Sequence, residues 1–113
     1  MIKFSILLRR RPGTSHEDFV SYHKTKHALL FVSLPEVKEN VRGYIQCHSL
    51  QVVIPGLPAP EYDGITELWF DDVDSIWKVF SSERYLELIR PDEEKFLDLH
   101  GCGFLISTEN PVI

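Results

Sequence analysis

Two histidines four residues apart, His23 and His27 in the run HKTKH, are the first residues whose type and spacing could do chemistry. On a helix, positions i and i+4 share a face. Phe19, His23, His27 and Leu30 form such a stripe, with Tyr22 and Lys26 beside it. His27 should therefore point between its helix and a sheet, where an imidazole can act as acid or base near neutral pH. The plainer alternative is a core histidine bonded to a backbone carbonyl. The pair could in principle share a metal ion. However, HKTKH lacks the glutamate of an HExxH pattern, carries two lysines that disfavour a cation, and has no clear third ligand. No metal and no cofactor is expected.

Tyr44, Gln46 and His48 alternate along a strand-like run, so they share one sheet face. Three hydrogen-bonding groups in a row suit either solvent or a pocket that orients an oxygen-rich ligand. Glu67 lies between Ile65 and Trp69, where an apolar setting would raise its pKa. An ion pair with Arg9 or Arg42 would serve it equally well. His16, at a helix start, reads as solvated, and Asp98 and His100 as surface residues. Phe19, Tyr22, Tyr44, Trp69, Trp77 and Phe80 could line a flat-ligand pocket or could be plain core. No Gly-x-Ser-x-Gly elbow or glycine-rich phosphate loop occurs, and Cys47 and Cys102 have no sequence-local activator.

The elements that must position these residues follow from periodicity. Ile2 to Arg9 reads as a strand with Phe4, Ile6 and Leu8 on one face and Leu7 on the other. Pro12-Gly13 ends it, and Thr14-x-x-Glu17 is a capping-box pattern opening a helix to about Val32. A second strand covers roughly Gly43 to Val52. Val53 to Tyr62, with three prolines and one glycine, is a long loop and a lid candidate. Gly64 to Phe70 is the third strand. Asp71, Asp72 and Asp74 start a helix with Val73, Ile76, Trp77 and Phe80 on its stripe. Glu83 to Ile89 is a further helical piece stopped by Pro91, Glu93 to Leu99 a short turn, and Gly103 to Ser107 the fourth strand.

This β-α-β-β-α-β order predicts a single α+β domain over residues 1–113, with a ferredoxin-like, four-stranded antiparallel sheet carrying its helices on one face. The other face should then be polar if it met water. Leu7, Ile65, Trp69 and Leu105 fall there instead, so two sheets should pair face to face in a homodimer.

The net charge of −5, from 12 basic and 17 acidic residues, argues against nucleic-acid and anionic-membrane partners. Arg9-Arg10-Arg11 is too short to change that. The absence of a secretory pattern, of a membrane-length apolar run and of a disulfide framework reads as a soluble, cytoplasmic protein.

Taken together, KFSILLRRRPGTSHEDFVSYHKTKHALL, the Tyr44-x-Gln46-x-His48 strand, DGITELWFDD and DEEKFLD before the last strand resemble the EthD family of the dimeric α+β barrel superfamily. The likeness spans nearly the whole chain. It implies a dimeric α+β barrel with a pocket between helices and sheet in each subunit, often worked by one histidine. It favours a functional reading of His27, which matches the family's helix histidine, with Tyr44, Gln46 and His48 on the polar strand facing it. The catalytic set it implies is His27, His48 and Tyr44. Phe19, Tyr22, His23, Gln46, Glu67 and Trp69 would bind substrate. Family members include cofactor-free dehydratases and decarboxylases of aromatic-polyketide pathways, and relatives include cyclases and isomerases. The implied function is His-centred acid/base catalysis on a small aromatic or polyketide-like molecule. The alternatives are a non-catalytic accessory or ligand-binding protein of an oxidative or biosynthetic pathway and, more remotely, a heme-binding relative.

Overall fold

The computed structural model describes residues 1–113. Four strands, β1 (Ile2–Leu8), β2 (Gly43–His48), β3 (Gly64–Phe70) and β4 (Gly103–Ser107), form one antiparallel sheet in the order β2-β3-β1-β4. That is the ferredoxin-like arrangement expected from the element order. The second strand stops at His48, short of Val52, because Leu50 to Pro60 lies open to solvent without strand pairing.

The helical segment after Pro12-Gly13 opens at Ser15, whose hydroxyl accepts from the Asp18 backbone N–H. α1 (His16–Tyr22) passes through a single π-helical turn, His23–His27, into α2 (Ala28–Val32) without leaving helical backbone angles. The turn closes on the His23 carbonyl, which accepts from Ala28 N–H and also from the Gln46 side chain at 2.9 Å. A side chain inserted into the hydrogen-bond ladder is a recognised cause of such a bulge. The sequence pattern missed α3 (Pro35–Asn40), which is short and opens on Pro35 near its first position.

α4 (Val73–Phe80) starts at Asp72, whose carboxylate accepts from Ser75 N–H at 2.8 Å. A second π turn, Tyr85–Ile89, then leads into α5 (Arg90–Phe96). Pro91 was expected to stop the helix. It instead occupies the first turn of α5, where a missing N–H costs nothing, and the helical run continues through Asp92 and Glu93 to Phe96. A 3₁₀ turn, Leu99–Gly101, precedes β4.

All helices cover one face of the sheet. Ile6, Leu8, Thr66, Leu68 and Phe70 are buried under them. Phe19 is fully buried at 0% exposure, its ring 5.6 Å from that of His23 and 5.7 Å from that of Phe96. Phe19→Ala should therefore destabilise the fold by about 3–5 kcal/mol, as a lowered urea midpoint with unchanged slope would show. The opposite sheet face carries Leu7, Ile65, Trp69, Ile45 at 51% exposure and Leu105 at 60%. No helix is long and apolar enough to cross a membrane.

Candidate active site

The two helical runs bring their polar residues together over the sheet. From the π turn, His27 directs Nδ1 to Asp92 Oδ2 of α5 at 2.8 Å, and both residues are buried. Tyr22, one turn earlier, donates its hydroxyl to the other oxygen, Asp92 Oδ1. Burial, reinforced by the bond to Asp92, pushes the Tyr22 phenol up to about 12, so it stays a donor. A neutral imidazole donating Nδ1–H to Asp92 would leave its lone pair on Nε2, which makes no hydrogen bond within the chain. This is the base-plus-orienter arrangement of acid/base catalysts.

The His27 ring packs 4.9 Å from that of Phe96 and lines a cavity of about 30 Å³, the more closed of two adjoining spaces, with His23, Phe31, Tyr44, Thr66 and Glu93. That space suits a water molecule, not an aromatic ring. An open groove of about 460 Å³, with Phe4, Trp77, Arg90 and His100 on its walls, adjoins it. Ile6, Phe80, Glu93, Leu99 and Phe104 line both. Phe104 sits on the edge strand at 58% exposure, so it is the side chain freest to swing aside and join the two spaces.

Tyr44 faces the closed cavity. Its hydroxyl accepts from Gln46 Nε2 at 2.7 Å, which leaves its own hydrogen to point elsewhere. Burial raises the Tyr44 phenol, more than Gln46 lowers it, and keeps it protonated. Gln46 is spent on Tyr44 and the His23 carbonyl, so it braces the site instead of touching the cavity.

His23 bridges His48 Nε2 at 3.0 Å through Nδ1 and Thr66 Oγ1 at 3.2 Å through Nε2. Burial first, then the neighbouring His27 and His48, pulls its pKa down to about 3, so the ring is neutral. His48 lies outside the closed cavity and reaches it only through His23. Burial, with Lys24 and His16 nearby, lowers His48 as well. His23 and His27 thus turn to different partners, and no group of three or more metal-ligating side chains converges anywhere in the chain.

Three residues expected at the site lie elsewhere. Phe19 is core behind His23 and does not line the cavity. Glu67 and Trp69 point to the opposite face of the sheet, as strand alternation requires once Thr66 and Leu68 face the helices. The expectation of a raised Glu67 pKa is corrected: an ion pair and hydrogen bond with Lys3, not an arginine, holds the carboxyl below its usual range. Trp69 Nε1 donates to Glu109 at 2.5 Å. The Val53 to Tyr62 loop contributes no wall to either space. His16 is half-buried and not freely solvated. It bridges Asp63 Oδ1 at 2.8 Å and the Ser49 carbonyl at 2.9 Å, tying the helix start to the loop.

Asp92 and Glu93 are the candidate site residues that sequence reasoning missed. It ended a helix at Pro91 and placed Glu93 in a short turn, with no role for either carboxylate. The available signal was Pro91, whose place just inside a helix puts Asp92 and Glu93 in its first turn.

A four-stranded antiparallel sheet with a buried His–Asp pair beneath its helices defines a small α+β domain of ferredoxin-like fold. Residues 11–100 match the EthD domain, and the chain belongs to that family. Solved structures agree on the fold. An ethyl tert-butyl ether D family protein from Bacillus halodurans is 19% identical with a TM-score of 0.69, covering 97% of this chain and 100% of its own. A protein from Arabidopsis thaliana is 17% identical with a TM-score of 0.69, covering 100% and 99%. A dimeric ferredoxin-like protein from Thermobifida fusca is 18% identical with a TM-score of 0.66, covering 96% and 90%. No curated protein sequence matches the chain significantly.

Proposed function

We propose that this chain is a small enzyme that moves protons on an aromatic or polyketide-like substrate, by chemistry of the dehydratase, decarboxylase or cyclase/isomerase kind that needs no cofactor. The observation that carries the reading is the buried His27–Asp92 pair, with Nε2 turned loose beside an aromatic-walled cavity. His27 Nε2 takes a proton from an activated carbon or phenol, and Asp92 stabilises the imidazolium that forms. Tyr44 donates to the enolate or phenolate oxygen, a bond worth most where water is excluded. Once Phe104 swings aside and joins the cavity to the adjoining groove, Phe31, Phe80, Phe96 and Phe104 hold a flat ring.

The test is incubation with hydroxylated anthrones, orsellinic-type acids and heme, read by mass spectrometry and absorbance. Loss of water or of carbon dioxide supports the reading. Tight binding without a mass change moves the protein to an accessory, ligand-carrying role, and a strong Soret band to heme binding.

We further propose a homodimer, built by pairing the helix-free sheet faces on which Ile45 and Leu105 stand exposed. Relatives of the same fold, from Thermobifida fusca and Bacteroides fragilis, are described as dimeric. Light scattering at micromolar concentration should give twice the chain mass of 13.1 kDa, and Leu105→Lys should shift it towards the monomer. A wild-type monomer would overturn this.

A further inference from the structure

We infer that Glu93 is the second proton carrier of the pocket: it protonates a departing hydroxyl while His27 takes a proton from carbon. The inference rests on the reading of His27 given above and adds to it a second catalytic group.

Glu93 stands where the closed cavity meets the open groove and lines both. Its side chain is only 10% exposed. Tyr85 donates its hydroxyl to Oε2, and Arg90 Nε donates to Oε1 at 3.0 Å, so the carboxyl is fixed in orientation from two sides. Burial raises its pKa, and the Tyr85 and Arg90 bonds offset this only in part. It therefore keeps its proton to higher pH than a surface glutamate does. A carboxyl held by tyrosine and arginine for structure alone has no need to face two cavities. This one borders both the cavity that His27 lines and the groove beside it.

The chemistry distinguishes between reactions. Decarboxylation releases a neutral molecule and returns a proton to carbon, so one carrier suffices. Hydroxide is a poor leaving group, and its departure needs an acid as well as a base. In the step inferred here, His27 Nε2 takes the proton on the carbon next to the carbonyl. The electron pair of that C–H bond forms the new C=C bond. The C–O bond breaks, and its electron pair takes the Glu93 proton to give water. Glu93 is left as a carboxylate and His27 as an imidazolium, and passage of that proton to Glu93 through the released water restores both. Nothing is oxidised or reduced, and no co-reactant is consumed.

The test compares two leaving groups on one probe, a β-hydroxy tetralone that becomes a naphthol on losing water and its β-fluoro counterpart. Fluoride departs without a proton and is close to hydroxyl in size. Wild type should convert both above background. Glu93→Gln should lose water elimination by about 100-fold while keeping fluoride elimination within a few-fold, and His27→Ala should lose both. Equal loss of both reactions in Glu93→Gln would mean a structural role, and loss of neither would mean no role. Either overturns the inference while leaving His27 intact. Retained turnover in His27→Ala would instead remove the reading beneath it. A wild type that spares the tetralone but decarboxylates an orsellinic-type acid would overturn the dehydration step alone. Should Glu93→Gln not fold, Glu93→Asp retains an acid but draws it back, and the same contrast between water and fluoride loss applies.

Discussion

His27→Ala should lower turnover by roughly 10²–10⁴-fold while the chain keeps its helix and strand signature by circular dichroism. The size follows from what the ring does in the site. Nε2 is the only nitrogen of the His23–His27 pair left without a partner, since both nitrogens of His23 are taken by His48 and Thr66. His23 therefore cannot substitute for it. Asp92→Asn provides the companion measurement. The amide is close in size to the carboxylate, so Tyr22 and Lys95 keep their neighbour, but the negative charge that stabilises the imidazolium is gone. Its loss of kcat should exceed any change in KM, because the charge matters most once the proton has moved. A His27→Ala enzyme with wild-type turnover would sink the proposal. A change confined to KM would reduce His27 to a binding group.

How much of this was legible in the sequence depends on the range of the forces involved. The alternation of Tyr44, Gln46 and His48 and of Leu68 with Trp69 is set by the two-residue strand repeat, so the faces of the sheet could be read directly. The His23–His27 stripe was legible for the same reason, as a helical repeat. The partners of these residues were not. Asp92 lies 65 positions from His27, and only the packing of α5 against the π turn brings them together. Glu67 shows the converse. Its same-face neighbours Ile65 and Trp69 suggested a perturbed acid, but no helix covers that face, and Lys3 on the adjacent β1 pairs with the carboxylate. Pro91 misled because a proline breaks a helix interior yet suits a first turn, and only the preceding π turn makes it a first turn.

Stability should fall by about 2–3 kcal/mol between pH 6.5 and pH 4.5, before most carboxylates titrate, and His23 should be the main cause. Above its ordinary pKa of 6.5 the ring is neutral in both folded and unfolded chain, so its contribution to stability is fully present there. Below that value the unfolded chain takes a proton that the folded chain refuses until about pH 3. The unfolded state then binds more protons, and stability drops as pH falls through the window. Other groups can be separated from it. Asp63 is raised by burial, but Arg10 and His16 outweigh this and lower it overall, and Glu67 is lowered by Lys3. Both lose their contribution only below their ordinary values of 3.8 and 4.5. Glu93, raised by burial, acts in the opposite sense, since its folded form holds a proton more readily as pH falls. His48 is lowered as His23 is, but lies nearer solvent. Urea midpoints measured at intervals across this range should fall steeply in wild type and in His48→Gln. In His23→Gln they should be lower at neutral pH but nearly flat, because glutamine can still bond Thr66 or His48 and does not titrate. An equal slope in His23→Gln and wild type would show that the acid sensitivity originates elsewhere. The flat profile would instead place the neutral, buried His23 at the centre of the site's architecture, where it keeps positive charge away from His27 until catalysis puts it there.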